Sequence, residues 1–305
     1  MLKLIKNELI KIFKRKNIYI LLAIGIIIIV IYNLFEKFSS PDVDISIQYQ
    51  RAYNNDKLLL ENYDNLNVDD SYEEIEERIK LEEYAINNKI QYNILLNTEN
   101  KNVKLPSDAR KLLLKLFDNF DIIIIFILIY LSSTIITEEF STGTIKPLLT
   151  KPHSRIQILF SKIITNIFII AIVIGFITLF QYLLGGFLFG FDSYNLEAII
   201  YNSSDKTIET IELTKYMIKL ITAKIPLYIV LTLISLLFGI ITNNIALDIL
   251  VSLGIYIILN SYDASKYLYN SNYLYNGLII IYGITIIILL LFLTVIFKKK
   301  DIKNL

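Results

Sequence analysis

Between two long apolar runs lies a short charged segment, residues 138–155, whose residue types suit recognition of another protein. Glu138 and Glu139 bring two carboxylates that can pair with a partner's basic groups or with Arg155, and Phe140 adds an aromatic ring. Gly143 permits a sharp turn out of the preceding helix. Thr144 is placed to cap a short helix, and Pro147 falls in its first turn, where a missing N–H costs nothing. Leu148 and Leu149 give that helix an apolar face. Lys151 precedes Pro152 and so avoids the helical region, which ends the element. Ser154 and Gln157 then have the spacing of a capping box that opens the next helix. The expected product is a short helix held between two capped corners and lying across a membrane surface, a handle for a soluble partner.

Other chemistries find little support. There is no cysteine, which excludes thiol and disulfide chemistry, and the lone histidine, His153, leaves little scope for a histidine metal site or proton relay. No phosphate-binding glycine loop and no nucleophile elbow occur. No paired acids or nucleophile–base set lies inside an apolar run, so the chain is not expected to be catalytic by itself. With a net charge of only +1, bulk charge gives no reason to expect a nucleic-acid partner.

The elements that must hold residues 138–155 are membrane helices. Of the 305 residues, 54% are hydrophobic, and mean hydropathy is +0.54, too apolar for one soluble core. The fold class is all-α: a polytopic membrane protein with six transmembrane helices at residues 17–35, 119–137, 156–190, 225–242, 245–260 and 277–297. The third run exceeds what a bilayer needs and must tilt or project, while the fifth is short. Lys3, Lys6, Lys11, Lys14, Arg15 and Lys16 precede the first run, and Lys298, Lys299, Lys300 and Lys303 follow the last in the tail 298–305. By the positive-inside rule both termini and residues 138–155 are expected in the cytosol of a multi-pass plasma-membrane protein. Residues 36–118, 191–224 and 261–276 then fall outside.

Residues 1–16 read as an amphipathic helix in the cytosolic interface, with Leu2, Ile5, Leu9 and Ile12 on one face, and not as a cleavable signal. The acid-rich outer segment 36–118 reads as a helical hairpin. Its expected apolar stripes are Tyr49, Tyr53, Leu60 and Tyr63 on one arm and Ile75, Ile79, Ile86 and Ile90 on the other. Lys219 and Lys224 are expected in the outer interface before the fourth span. Tyr262, Tyr267, Tyr269, Tyr273 and Tyr275 crowd the last outer loop, where phenol rings favour the headgroup layer.

Residues 138–165 resemble the signature loop of ABC-2-type transporter permeases. That loop has an acidic and aromatic start, a Gly-Thr, a Leu-Leu, a Pro and an Arg, followed by a Lys on the next span. Glu139, Phe140, Gly143, Thr144, Leu148, Leu149, Pro152, Arg155 and Lys162 are the residues that match, with Glu138 beside them. Within the family the chain is most similar to permeases of bacitracin and lantibiotic-type peptide export. The resemblance implies a permease subunit that exports or extracts an amphipathic substrate, a peptide antibiotic foremost. Its partners would be an ABC ATPase, a second copy or a related permease, and membrane lipid. No cofactor belongs to the chain itself, since ATP and Mg would be bound by the ATPase, into which the short helix would dock. Two other readings remain: an ATPase-driven mechanotransmission or sensor subunit acting through the outer hairpin, and a secondary transporter. The latter needs ionisable groups at mid-membrane, and Asp121 and Asp248 lie near run ends.

Overall fold

The computed structural model describes residues 1–39, 45–63, 71–88, 92–93, 109–145, 147, 153–191, 197–202, 207–261 and 272–300. Its elements are α1 (Leu2–Phe13), α2 (Lys16–Ser39), α3 (Ile45–Glu61), α4 (Tyr72–Asn87), β1 (Tyr92–Asn93), α5 (Ala109–Asn119) and α6 (Asp121–Ser141). There follow α7 (Arg155–Phe189), β2 (Glu197–Asn202), β3 (Thr207–Glu212), α8 (Leu213–Thr242), α9 (Ile245–Ser261) and α10 (Asn272–Lys299). A chain this apolar folds as helices because lipid offers no partner for backbone N–H and C=O groups. The all-α polytopic class holds.

Among the described residues five helices are long and apolar enough to cross a membrane: Lys16–Phe38, Asp121–Ser141, Arg155–Phe189, Leu213–Thr242 and Ile279–Lys299. α9 is equally apolar but has only 17 residues, so the expectation of six spans becomes five of full length and one short. α7, at 35 residues, is about 52 Å long against a hydrocarbon core of about 30 Å. α6 is the central helix: it packs against α7, α8 and α9 and is mostly buried, whereas α2 and α10 turn most of their apolar surface outward.

Three features depart from the sequence reading. First, α8 begins at Leu213, twelve residues before the expected span, and Lys219 and Lys224 lie within it. Lys224 is not at a free interface; its ammonium meets the buried Asp121 carboxylate at 3.0 Å and also donates to the Phe117 carbonyl. Tyr228, one turn on, donates to the same carboxylate. Second, residues 191–224 contain strands. β2 and β3 pair antiparallel from Glu197↔Glu212 to Asn202↔Thr207, and β1 adds in parallel through Tyr92↔Ala198. Thr207, Ile208, Thr210 and Ile211 are β-branched, which favours this pairing. Third, the α3–α4 hairpin is not held by the expected stripes alone. Tyr49 and Ile75 are buried, but Ala52, Leu81 and Ala85 complete the contact, and Arg78 donates to Asp56 at 2.9 Å in its middle. Ile90 and tyrosines 262, 267 and 269 lie outside the described residues, as does the hairpin turn.

Farther along the bundle, Asn33 and Gln181 exchange amide hydrogen bonds at 2.9 and 3.0 Å, and Gln181 also donates to the Leu112 carbonyl. Both amides are fully buried, so this link fixes α2 against α7 and α5.

Candidate functional site

Residues 138–155 leave the central helix at its C-terminal end. α6 closes with the Thr142 N–H donating to the Glu138 carbonyl at 2.9 Å, and Gly143 follows at φ +70°, a left-handed conformation that favours glycine. Nothing lies within 4 Å of where a Gly143 side chain would start, so backbone conformation, not crowding, sets the residue type. Thr144 is exposed, and its hydroxyl pairs with that of Thr142 at 3.0 Å. Ile145 is fully buried. Leu148, Leu149 and Pro152 lie outside the described residues. The capping box forms: the Gln157 N–H donates to Ser154 Oγ at 3.2 Å, and the Ser154 N–H donates to Gln157 Oε1 at 3.1 Å.

Behind this loop sits a closed ring of four charges. Lys162 of α7 is fully buried, with Nζ 2.7 Å from Glu139 Oε2 and 3.2 Å from Glu8 Oε2. Lys11 of α1 touches the other oxygen of each acid, at 2.7 Å to Glu139 Oε1 and 3.2 Å to Glu8 Oε1. Lys162 also donates to the Ile135 carbonyl at 2.9 Å. Two acids and two lysines balance, which is what makes burial of both carboxylates tolerable. Burial alone would lower the Lys11 pKa, but hydrogen bonds and charge from Glu139 and Glu8 hold it above the ordinary value of 10.5.

The ring corrects one expectation. Glu139 is only 6% exposed and spends its two oxygens on Lys11 and Lys162 inside the chain, not on Arg155. Glu138 is the more exposed acid, and Arg15 holds it at 2.6 Å while donating to the Thr134 carbonyl. Arg155 instead donates to the carbonyls of Lys298 and Lys300 at 3.0 and 3.4 Å, satisfying the C-terminal end of α10. Lys300 in turn caps the end of α8 through the Ile240 and Ile241 carbonyls and Asn243 Oδ1, and lies 5.4 Å from the ring centre of Phe140. Burial lowers its pKa below the usual lysine value. Phe140 is itself buried edge-to-face against Phe297, at 6.2 Å.

Glu8, Lys11, Arg15 and Lys300 were not among the residues singled out for the site. A local signal did exist for Glu8: it is the lone acid of α1 and shares a face with Ile5 and Ile12, which are buried, whereas Leu2 of the expected face is exposed.

A family model described as ABC-2 family transporter protein matches residues 2–264. Among curated proteins, the uncharacterized protein YhcI of Bacillus subtilis (strain 168) is 31% identical over 166 residues, covering 54% of this chain and 48% of that one. The chain thus spans about half the length of that relative. No solved structure matches.

Proposed function

This chain belongs to the ABC-2 family of transporter proteins, and on that premise we propose that its 138–155 loop receives a separate ABC ATPase and passes its movements into the membrane. The family supplies the membrane-spanning component of ABC transporters, and such components work with an ABC ATPase. In this reading both termini and the loop are cytosolic, ATP and Mg belong to the ATPase, and a second copy or a related permease completes the transporter. The observation that carries it is the charge ring. Glu8, Lys11, Glu139 and Lys162 join α1, α6 and α7 directly behind the loop, with Arg15–Glu138 beside them. A push on the loop therefore loads the central helix, the longest helix and the amphipathic N-terminal helix together, which is what a two-state coupling element needs.

The cargo in this reading is an amphipathic molecule, with a membrane-active peptide antibiotic foremost. The described spans carry few charges, and Asp121, Glu139 and Lys162 are each paired. This leaves Asp248 as a buried carboxylate with no cation beside it among the described residues and gives a hydrated ion few compensating groups along a path. Expression with the cognate ATPase in a sensitive host should raise tolerance to cationic peptides more than to small drugs. Unchanged tolerance with sustained ATP hydrolysis would remove the export reading.

One observation favours the mechanotransmission reading. β1 lies beyond α4 in the chain and pairs with β2, α4 packs against β2, and β3 runs straight into α8. The hairpin is thus tied mechanically to a membrane helix. ATP-dependent change in hairpin protease protection without substrate flux would select this alternative.

A further inference from the structure

Asp248 takes no part in the ring or the loop. It lies in the first turns of α9, fully buried where α9 packs against α6 and α8. Its Oδ2 is 3.3 Å from the hydroxyls of Thr137 and of Ser235, and its Oδ1 is 3.3 Å from that of Ser252. Among the described residues no lysine or arginine lies within ion-pair distance of this carboxylate. Ser133, one turn before Thr137 on the same face of α6, is fully buried beside the carboxylate, yet its hydroxyl makes no hydrogen bond of good geometry. Gly239 lets Thr137 and Asp248 approach the α8 backbone closely. A side chain there would start 2.2 Å from Thr137 Oγ1 and 3.1 Å from Asp248 Oδ2.

The spacing is informative. A hydroxyl bound to a carboxylate ordinarily closes to about 2.5–2.7 Å, and all three contacts here are longer. Oxygens held roughly 2.4 Å from a central hard cation in an octahedral shell stand about 3.4 Å from one another. Each of the three hydroxyls stands at about that distance from its Asp248 oxygen, and the Ile129 carbonyl lies 3.4 Å from Ser235 Oγ. A single carboxylate balances one positive charge, and hydroxyl and carboxylate oxygens suit hard ions over soft ones. We propose that Asp248, Thr137, Ser235 and Ser252 form a binding site for a small monovalent cation, sodium first, between α6, α8 and α9. Occupancy supplies the charge that the buried carboxylate lacks and locks short α9 onto the helix that carries the loop. The site does not depend on the transport reading.

The test uses the full-length protein in nanodiscs at fixed pH and ionic strength, with sodium chloride titrated against choline chloride, and lithium and potassium in parallel. The thermal midpoint should rise saturably in sodium by roughly 5 °C. Asp248→Asn should abolish the dependence while holding a midpoint near that of the sodium-free protein. Ser252→Ala and Thr137→Val keep the charge and should raise the half-saturating sodium concentration at least tenfold; they decide the matter if Asp248→Asn fails to fold. Equal midpoints in sodium and choline overturn the site, as does a full sodium response in Asp248→Asn or unchanged half-saturation in both hydroxyl variants. A midpoint that follows pH but not sodium also overturns it, since a proton then balances the carboxylate.

Discussion

Glu139→Gln leaves Lys162 fully buried with Glu8, 3.2 Å away, as its remaining carboxylate. Stranding one member of a buried pair costs about 3–5 kcal/mol. The Lys11 arm adds at most about 1 kcal/mol, because 47% of that side chain is exposed and can turn to water. Lys162→Met strands the opposite charge, with two carboxylates facing one lysine, and should cost a similar amount. The double variant Glu139→Gln/Lys162→Met removes one charge of each sign and leaves Glu8 and Lys11 paired at 3.2 Å. It should therefore be more stable than either single variant, with a coupling of at least about 2 kcal/mol in the cycle. At about 2–4 °C per kcal/mol, thermal unfolding in nanodiscs should show each single variant roughly 6–20 °C below the parent and the double variant recovering most of that. If the two losses simply add, the four charges do not act as one unit, and the ring cannot be the brace behind the loop.

Three further outcomes follow from particular contacts. Because the Lys11 pKa is raised on folding, its contribution is complete below the unfolded value of 10.5 and is lost only as pH climbs through the folded value. The stability difference between the parent and Lys11→Met should thus stay flat from pH 7 to 9 and shrink at higher pH; a decline already below pH 9 would contradict the Glu139 contact. Asn33→Leu strands the Gln181 amide and should destabilise by about 1–3 kcal/mol, whereas Asn33→Leu/Gln181→Leu should recover part of it; equal melting of the two variants would refute the amide link. Gly143→Ala meets no neighbour but must adopt φ +70°, so its cost should be about 1 kcal/mol of conformational strain, and a loss several times larger would mean that the turn packs against something else.

What the sequence disclosed was local or was imposed by lipid. The Ser154–Gln157 capping box and the Gly143 turn are written in residues three or four apart, and both form. The long apolar runs had to be helices once they were recognised as membrane segments. The charge ring was hidden because Glu8 and Lys162 stand 154 positions apart, and an acid on a basic amphipathic helix looks solvent-facing until its partner is known. The same holds for Lys224, which reads as an interface lysine until Asp121 arrives from 103 positions earlier and lets α8 extend back to Leu213. β2 and β3 are six residues each and neither alternates apolar with polar residues, so nothing marked them as strands beside the apolar runs.

The most direct test of the coupling role is contact between the loop and an ATPase. A photo-crosslinking amino acid at exposed Thr144, in native membranes, should capture an ATP-binding subunit, and the yield should change at least severalfold between nucleotide-free and ATP-bound conditions. The same probe at exposed Tyr72 of the α3–α4 hairpin should capture none. Capture of an ATPase from Tyr72 but not from Thr144 would place the partner at the opposite end of the molecule and contradict the account.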